Sequence, residues 1–417
     1  MKKRSILYCL LLFISIKAAS QNVSSPYSIL GIGDIDNNSY GRFAASGNAA
    51  VSRREASSYN FSNPASLTAI PFKSINFDLN FRGRSSTFKP VASDTFSSYT
   101  KDFILKRITL AFKVTPKTAI AFGLKPFSSV NYQFVAASSV SNGNEVDYLK
   151  YTEGTGGINQ VYFSAAKEIR PRLSVGATLS WLFGSLQNNV EYYNADIDLD
   201  IVKKETDFYH GVGLKAGLQY YSRIGKKWQQ TFGLTVDAYT NLKGEKTVEY
   251  LESDVSIKTL SPEGIRFKMP VIAGIGYSIG NRKGLSYHIQ GTYQKWATKN
   301  LHYNSIYIKD AYSLHAGIEY SKKQITQNSV REKSFWAAGI KMEQSYLVTS
   351  NNHLTDYAIT LGAGKNISRF LSLSAGLDIG TRGKNSLQQI QENYYQFNVG
   401  LTLKDFWFGT KKMGRFR

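Results

Sequence analysis

From Ile75 to Leu403, segment after segment has apolar residues at every second position. A period of two restricts the chain to strands with one greasy face and one polar face. The final segment shows it most plainly: Tyr395, Phe397, Val399, Leu401 and Leu403 alternate with Gln396, Asn398, Gly400, Thr402 and Lys404. The first does the same, with Ile75, Phe77, Leu79 and Phe81 set against Asn76, Asp78, Asn80 and Arg82. The pattern predicts about fourteen strands, at 73–84, 103–114, 119–134, 157–168, 172–193, 206–221, 228–242, 264–280, 285–298, 309–321, 334–347, 354–366, 370–381 and 392–404. Their connections alternate in length. Long polar segments (85–102, 135–156, 194–205, 243–263, 299–308, 348–353, 382–391) take turns with short ones (115–118, 169–171, 222–227, 280–284, 368–369); 321–334 is the longish exception. An even strand count with long–short alternation predicts an all-β fold, a 14-stranded antiparallel transmembrane β-barrel of the bacterial outer membrane. Short turns and both termini then face the periplasm, and the last strand pairs with the first, so that no edge is left in the lipid. A soluble propeller also repeats strands, but it does not alternate its loops in this way.

The chain before Ile75 does not alternate. Residues 1–20 read as a signal peptide: Lys2, Lys3 and Arg4, an apolar run from Ile6 to Ile16 too short to span a bilayer, then Ala18-Ala19-Ser20. Cys9 lies inside it, so no disulfide framework is expected in the mature chain. Residues 21–72 are turn-rich and small, with a run from Ala44 to Ala50 and an ending at Asn63-Pro64-Ala65. They suit a plug inside the lumen, the alternative being an extension in the periplasm. Residues 73–404 then form the barrel and 405–417 a basic periplasmic tail.

A plug-like segment that ends in Asn63-Pro64-Ala65 before about fourteen strands resembles the FadL family of outer-membrane transporters for hydrophobic compounds. Lys125-Pro126-Phe127 in the third strand is also similar. The opening Ser25-Pro26-Tyr27-Ser28 and the ending Asp405-Phe406-Trp407-Phe408 resemble a FadL-type branch common in Bacteroidota. The resemblance implies passage of a small, fatty-acid-like hydrophobic molecule through a plugged barrel. It also implies lateral release at a kink in the third strand, with Pro126 and Phe127 as the gate. Proline has no amide hydrogen, so a ladder bond is missing there. The same branch holds barrels that serve secretion or assembly machines without transporting anything, and this is the alternative function.

Little points to chemistry. His210, His288, His302, His315 and His353 show no metal-ligand spacing, and Ser286 and Ser313 have no catalytic motif around them. The chain reads as no enzyme, with no cofactor and no metal. Inward-facing Asp78, Arg82, Lys113, Lys215, Asp237, Glu319, Lys341, Glu343 and Asp378 predict a lumen network that grips the plug, because buried charges are costly unless paired. With most of the lumen polar, an apolar site is expected only near the outer loops, where Leu182 and Leu186 face inward. The formal charge is +21; without the leader's Lys2, Lys3, Arg4 and Lys17 it is +17. With no nucleic-acid-binding pattern, that excess predicts a basic periplasmic rim that includes Lys226, Lys227, Lys322 and Lys323. The partners expected are outer-membrane lipids, a hydrophobic small-molecule ligand and an outer-membrane or periplasmic protein, with no nucleic acid.

Overall fold

The computed structural model describes residues 25–36, 40–89, 98–141, 145–194, 199–252, 255–296, 302–303, 306–326, 329–349, 351–385 and 389–406. The signal peptide and the tail from 407 on lie outside them. Fourteen antiparallel strands close into a barrel. They are β1 (Ser74–Lys89), β2 (Ser98–Lys113), β3 (Thr118–Ser141), β4 (Glu145–Arg170), β5 (Leu173–Asn194), β6 (Leu199–Ile224), β7 (Trp228–Tyr239, continued by Leu242–Glu252), β8 (Val271–Asn281), β9 (Leu285–Lys295), β10 (Ala311–Thr326), β11 (Ser329–Thr349), β12 (Asn352–Asn366), β13 (Leu371–Arg382) and β14 (Gln391–Phe406). Val255–Thr259 and Glu263–Phe267 precede β8 and pair back onto the upper part of β7. Closure is complete: β14 pairs with β1 from Ser74↔Phe406 to Lys89↔Gln391.

The wall is an inverted core. On β10, Tyr312, Leu314, Ile318 and Tyr320 are exposed while Ser313, His315 and Glu319 are buried. In water such a greasy outer face would be a liability; in lipid it is the solvated one. No helix among the described residues is long and apolar enough to cross a membrane; the strands do the crossing.

Strands β3, β4 and β6 run well past their expected spans, and β5 between them keeps the length its alternation predicts. β3, β4, β5 and β6 have 24, 26, 22 and 26 residues. At about 3.3 Å per residue they run roughly 70–85 Å, far beyond an apolar band about 25 Å tall. Stretches read as the long loops 135–156 and 194–205 are largely ladder: Val135↔Tyr151 continues to Ser141↔Glu145, and Glu205 pairs with Asn188. Above the membrane both faces meet water, so pairing persists without the alternation that would reveal it.

Residues 25–36 and 40–70 lie inside the lumen, with three short 3-10 helices (Pro26–Ile29, Ala44–Ser46, Pro64–Ala69) and a two-residue strand, Asp34–Ile35. The small run Ala44, Ala45, Ser46, Ala49 and Ala50 is fully buried, and the wall offers glycine where the plug backbone touches it. A Cβ on Gly317 would stand 2.3 Å from the Ser46 carbonyl oxygen, and one on Gly233 the same distance from that of Val51. Tight contact of two backbones explains both the small plug residues and the glycines on polar faces.

Candidate functional site

The lower plug is held by charge. Arg42 pairs with Glu319, with Glu332 (2.8 Å) and with Glu55 (3.4 Å); Arg53 pairs with Glu55 and Glu319, both at 2.7 Å. Burial lowers the proton affinity of both guanidiniums, but Glu319 and Glu55 more than reverse it and hold both above the ordinary arginine range. Bonds to the plug backbone spread the grip. Gln290 Oε1 accepts from the amides of Ala50 (2.7 Å) and Val51 (2.9 Å), Asp78 accepts from that of Tyr59 (3.1 Å), and Lys113 Nζ donates to the Thr68 carbonyl (2.6 Å). The inward charges Lys215 and Asp237 pair with each other at 3.0 Å.

Asn63, Pro64 and Ala65 form the lower plug's anchor to β6. Asn63 is fully buried and caps the Pro64–Ala69 turn by accepting from the Ala65 amide (3.0 Å). Its Nδ2 donates to the carbonyls of Val51 (2.8 Å) and Leu218 on β6 (3.1 Å). The side chain thus reaches the wall at β6, where Gly217 leaves room for it.

The wall itself has a seam. β2 and β3 pair only from Ile108↔Leu124 to Lys113↔Ala119. Above that, Ser98–Arg107 pair on one side only, with β1, and β3 pairs on with β4. Both strands bulge where the seam starts. The β1 partner steps from Arg107 to Leu105, skipping Lys106, and the β4 partner steps from Pro126 to Ser128, skipping Phe127. A bulge adds one residue and so flips the faces of everything beyond it. Strict alternation through Pro126 would leave Val130, Tyr132 and Phe134 outside with Phe122 and Leu124; that reading is corrected, since Val130 and Tyr132 are buried inside. Phe127 is also inside, its ring edge-on to Tyr239 with centroids 5.3 Å apart.

The N-terminal segment covers this seam from within. Asp34 and Ile35 pair with Ser129 and Ser128 of β3, and the Asp36 amide donates to the Phe127 carbonyl (2.9 Å). Gly33, at φ +84°, sits so close that a Cβ there would be 2.3 Å from the Ser129 oxygen. The Asp36 carboxylate then bridges the two sides, pairing with Lys106 of β2 and, at 3.8 Å, with Lys125 of β3. Across the lumen, Asp34 takes a two-pronged pair from Arg382 of β13 (2.7 and 3.0 Å), and Tyr346 donates to the Gly33 carbonyl (2.7 Å). Burial pushes both carboxyls up, but Arg382 beside Asp34 and Lys106 beside Asp36 hold them below the ordinary aspartate range.

Around the segment lies an apolar cluster. Leu182 and Leu186 belong to it with Phe127, Val130, Tyr132, Leu242, Trp296 and Tyr346, and the segment's own Tyr27, Leu30 and Ile32 are part of it. Next to it is a cavity of about 320 Å³ lined by charges of both signs, among them Asp102, Lys106, Lys215, Asp237, Lys341 and Glu343. His288 bonds Ser278 (2.8 Å) and Ser286 (3.1 Å), and His315 bonds the Gly47 carbonyl (2.8 Å) and Ser313 (2.9 Å). Both rings thus act as lumen hydrogen-bonders. No cluster of metal-binding side chains occurs among the described residues. Lys226, Lys227 and Lys323 line a second, open cavity at the periplasmic mouth, and Lys322 is exposed beside it.

Comparison with known proteins agrees with this architecture. The chain is similar in structure to a Pseudomonas aeruginosa FadL homologue, at 12% identity and a TM-score of 0.60, over 90% of this chain and 100% of that one. It is similar to the toluene transporter TodX of Pseudomonas putida, at 14% and 0.59, over 90% and 99%. It is also similar to the toluene transporter TbuX of Ralstonia pickettii, at 14% and 0.56, over 88% and 98%. At such identities the likeness is one of fold: a FadL-like, multi-pass barrel of the outer membrane. No curated protein matches the chain. A family model described as BamG matches residues 1–414.

Proposed function

The chain belongs to the BamG family, and from that premise we propose that it is a non-transporting barrel subunit of an outer-membrane secretion or assembly machine. The observation that carries the reading is the filled upper lumen. Where a hydrophobic ligand would sit, against Leu182, Leu186 and Phe127, the chain's own Tyr27, Leu30 and Ile32 are packed. Below them lies the charged cavity, where an apolar solute would strip water from ions and return nothing. The lower plug is tied to the wall by buried ion pairs that a passing solute would have to break. The test is purification from native membranes in mild detergent. A stoichiometric complex with another outer-membrane protein that survives gel filtration supports the reading. An isolated barrel carrying a lipid-like compound in its upper lumen overturns it.

The seam favours a second reading, passage of a fatty-acid-like or aromatic molecule with lateral release beside Pro126. The FadL-like fold and its likeness to the toluene transporters TodX and TbuX support it. It requires residues 25–36 to leave the seam and Phe127 to swing off Tyr239. Uptake of labelled fatty acid or toluene that is lost in Pro126→Val would support it, and uptake indifferent to that change would remove the lateral route. Assignment to a Bacteroidota-type branch belongs with these proposals.

A further inference from the structure

The periplasmic mouth holds a cup of about 410 Å³ whose rim comes from the β6–β7 and β8–β9 turns and the neighbouring ends of β10 and β11, and whose floor is the lower plug. Its charges fall into two groups. On the floor, Arg42 and Arg53 are neutralised by Glu55, Glu319 and Glu332. Around them, Arg54, Arg223, Lys226, Lys227, Arg282 and Lys323 line the same cup, and among the described residues none of the six is in an ion pair. Five of them are exposed. Arg54 makes no ion pair, although Glu168 lies near enough to attract it: it lies over the Tyr221 ring at 4.2 Å and donates to neutral acceptors, Gln219 Oε1 (3.1 Å) and Thr68 Oγ1 (3.0 Å). The three acids of the cup are all spent on the floor.

Surface charge that only needs solvation has no reason to converge on a hollow. Headgroups of the inner leaflet meet the outer perimeter of a barrel, whereas this cup opens inside the ring of turns, over the plug. We propose that the cup is a docking site for an acidic segment of a periplasmic protein, which would place carboxylates between the β6–β7 turn and Lys323 at the end of β10. The cationic rim would draw such a segment in over about 8 Å of screening length at physiological salt. This deepens the subunit reading by naming a partner's chemistry, and the two fail separately. A machine can form through the outer wall with the cup unused, and an isolated barrel can bind an acidic peptide.

The experiment uses the full mature chain in nanodiscs and two probes: a fluorescent oligo-aspartate peptide, and vesicles of anionic phosphatidylglycerol. The expected result is peptide binding that falls steeply with salt and weakens about tenfold or more when Lys226, Lys227, Arg282 and Lys323 are all changed to Gln. Neutralising Lys117, Arg170 and Arg172, which line no part of the cup, should change it less than about twofold. Retained heat-modifiability of both variants shows that they fold. Equal losses in the two variants, or binding of the vesicles without the peptide, would overturn the proposal.

Discussion

The two halves of the plug are held by different physics. The lower half, residues 40–70, lies within fully paired wall and is fixed by a buried network of two arginines and three glutamates. The upper segment, residues 25–36, lies against a wall whose pairing has stopped, and is held by apolar packing and two aspartates. Pulling out the lower half would leave several charges buried alone, whereas the upper segment could peel back from a seam already open on one side. The barrel is therefore sealed twice, once firmly and once conditionally.

The comparison breaks most forcefully at Glu319. Glu319→Gln leaves Arg42 and Arg53 short of a charge at a buried site, a change worth up to about 3–5 kcal/mol. It should free the lower plug, seen as new protease cleavage between residues 40 and 70 in folded barrels. If the segment stays protected, the charge network is not what seats it. Asp36→Asn should act on the upper half alone. Losing a charged pair to Lys106 and Lys125 costs about 1.5–3 kcal/mol, and hydrogen exchange should quicken at residues 25–36 while 40–70 stay protected. Acceleration in both regions would mean that the plug moves as one body.

Acid gives the mildest version. Asp34 and Asp36 titrate below their ordinary value, so their contribution is complete above the unfolded pKa of about 3.9 and is lost as pH falls through the lower folded values. Protection factors in residues 25–36 should thus be unchanged from pH 7 to about 5 and fall only below about 4. A fall already near pH 6 would assign the grip to some other group.

Much of this architecture was legible in the chain. Tyr312, Leu314, Ile318 and Tyr320 mark the lipid face of β10 because burial in a bilayer imposes period two on every crossing strand. Pro126 marked a defect for a local reason, its missing amide. The bulge at Lys106 also left a trace, since the apolar phase changes parity between Leu105 and Ile108. Its partner at Phe127 misled, because Val130 and Tyr132 look lipid-facing until the extra residue flips them. Asp36 and Arg42 carry no local signal at all. One bridges two strands and the other meets Glu319 across 277 positions, and such pairings exist only once the barrel has closed. The Asn63-Pro64-Ala65 motif was legible as the end of the plug, yet the acceptor of Asn63 on β6 was not.

The central claim is that the chain's own N-terminal residues seal the lumen in two layers. Planar-bilayer recording tests it most directly, on the intact mature barrel, on a barrel lacking residues 22–36, and on one lacking residues 22–70. The account predicts no conductance steps from the intact barrel, small or flickering steps when only the upper segment is gone, and large stable steps when the whole plug is removed. Steady conductance through the intact barrel, or a barrel that stays silent without residues 22–70, would contradict it.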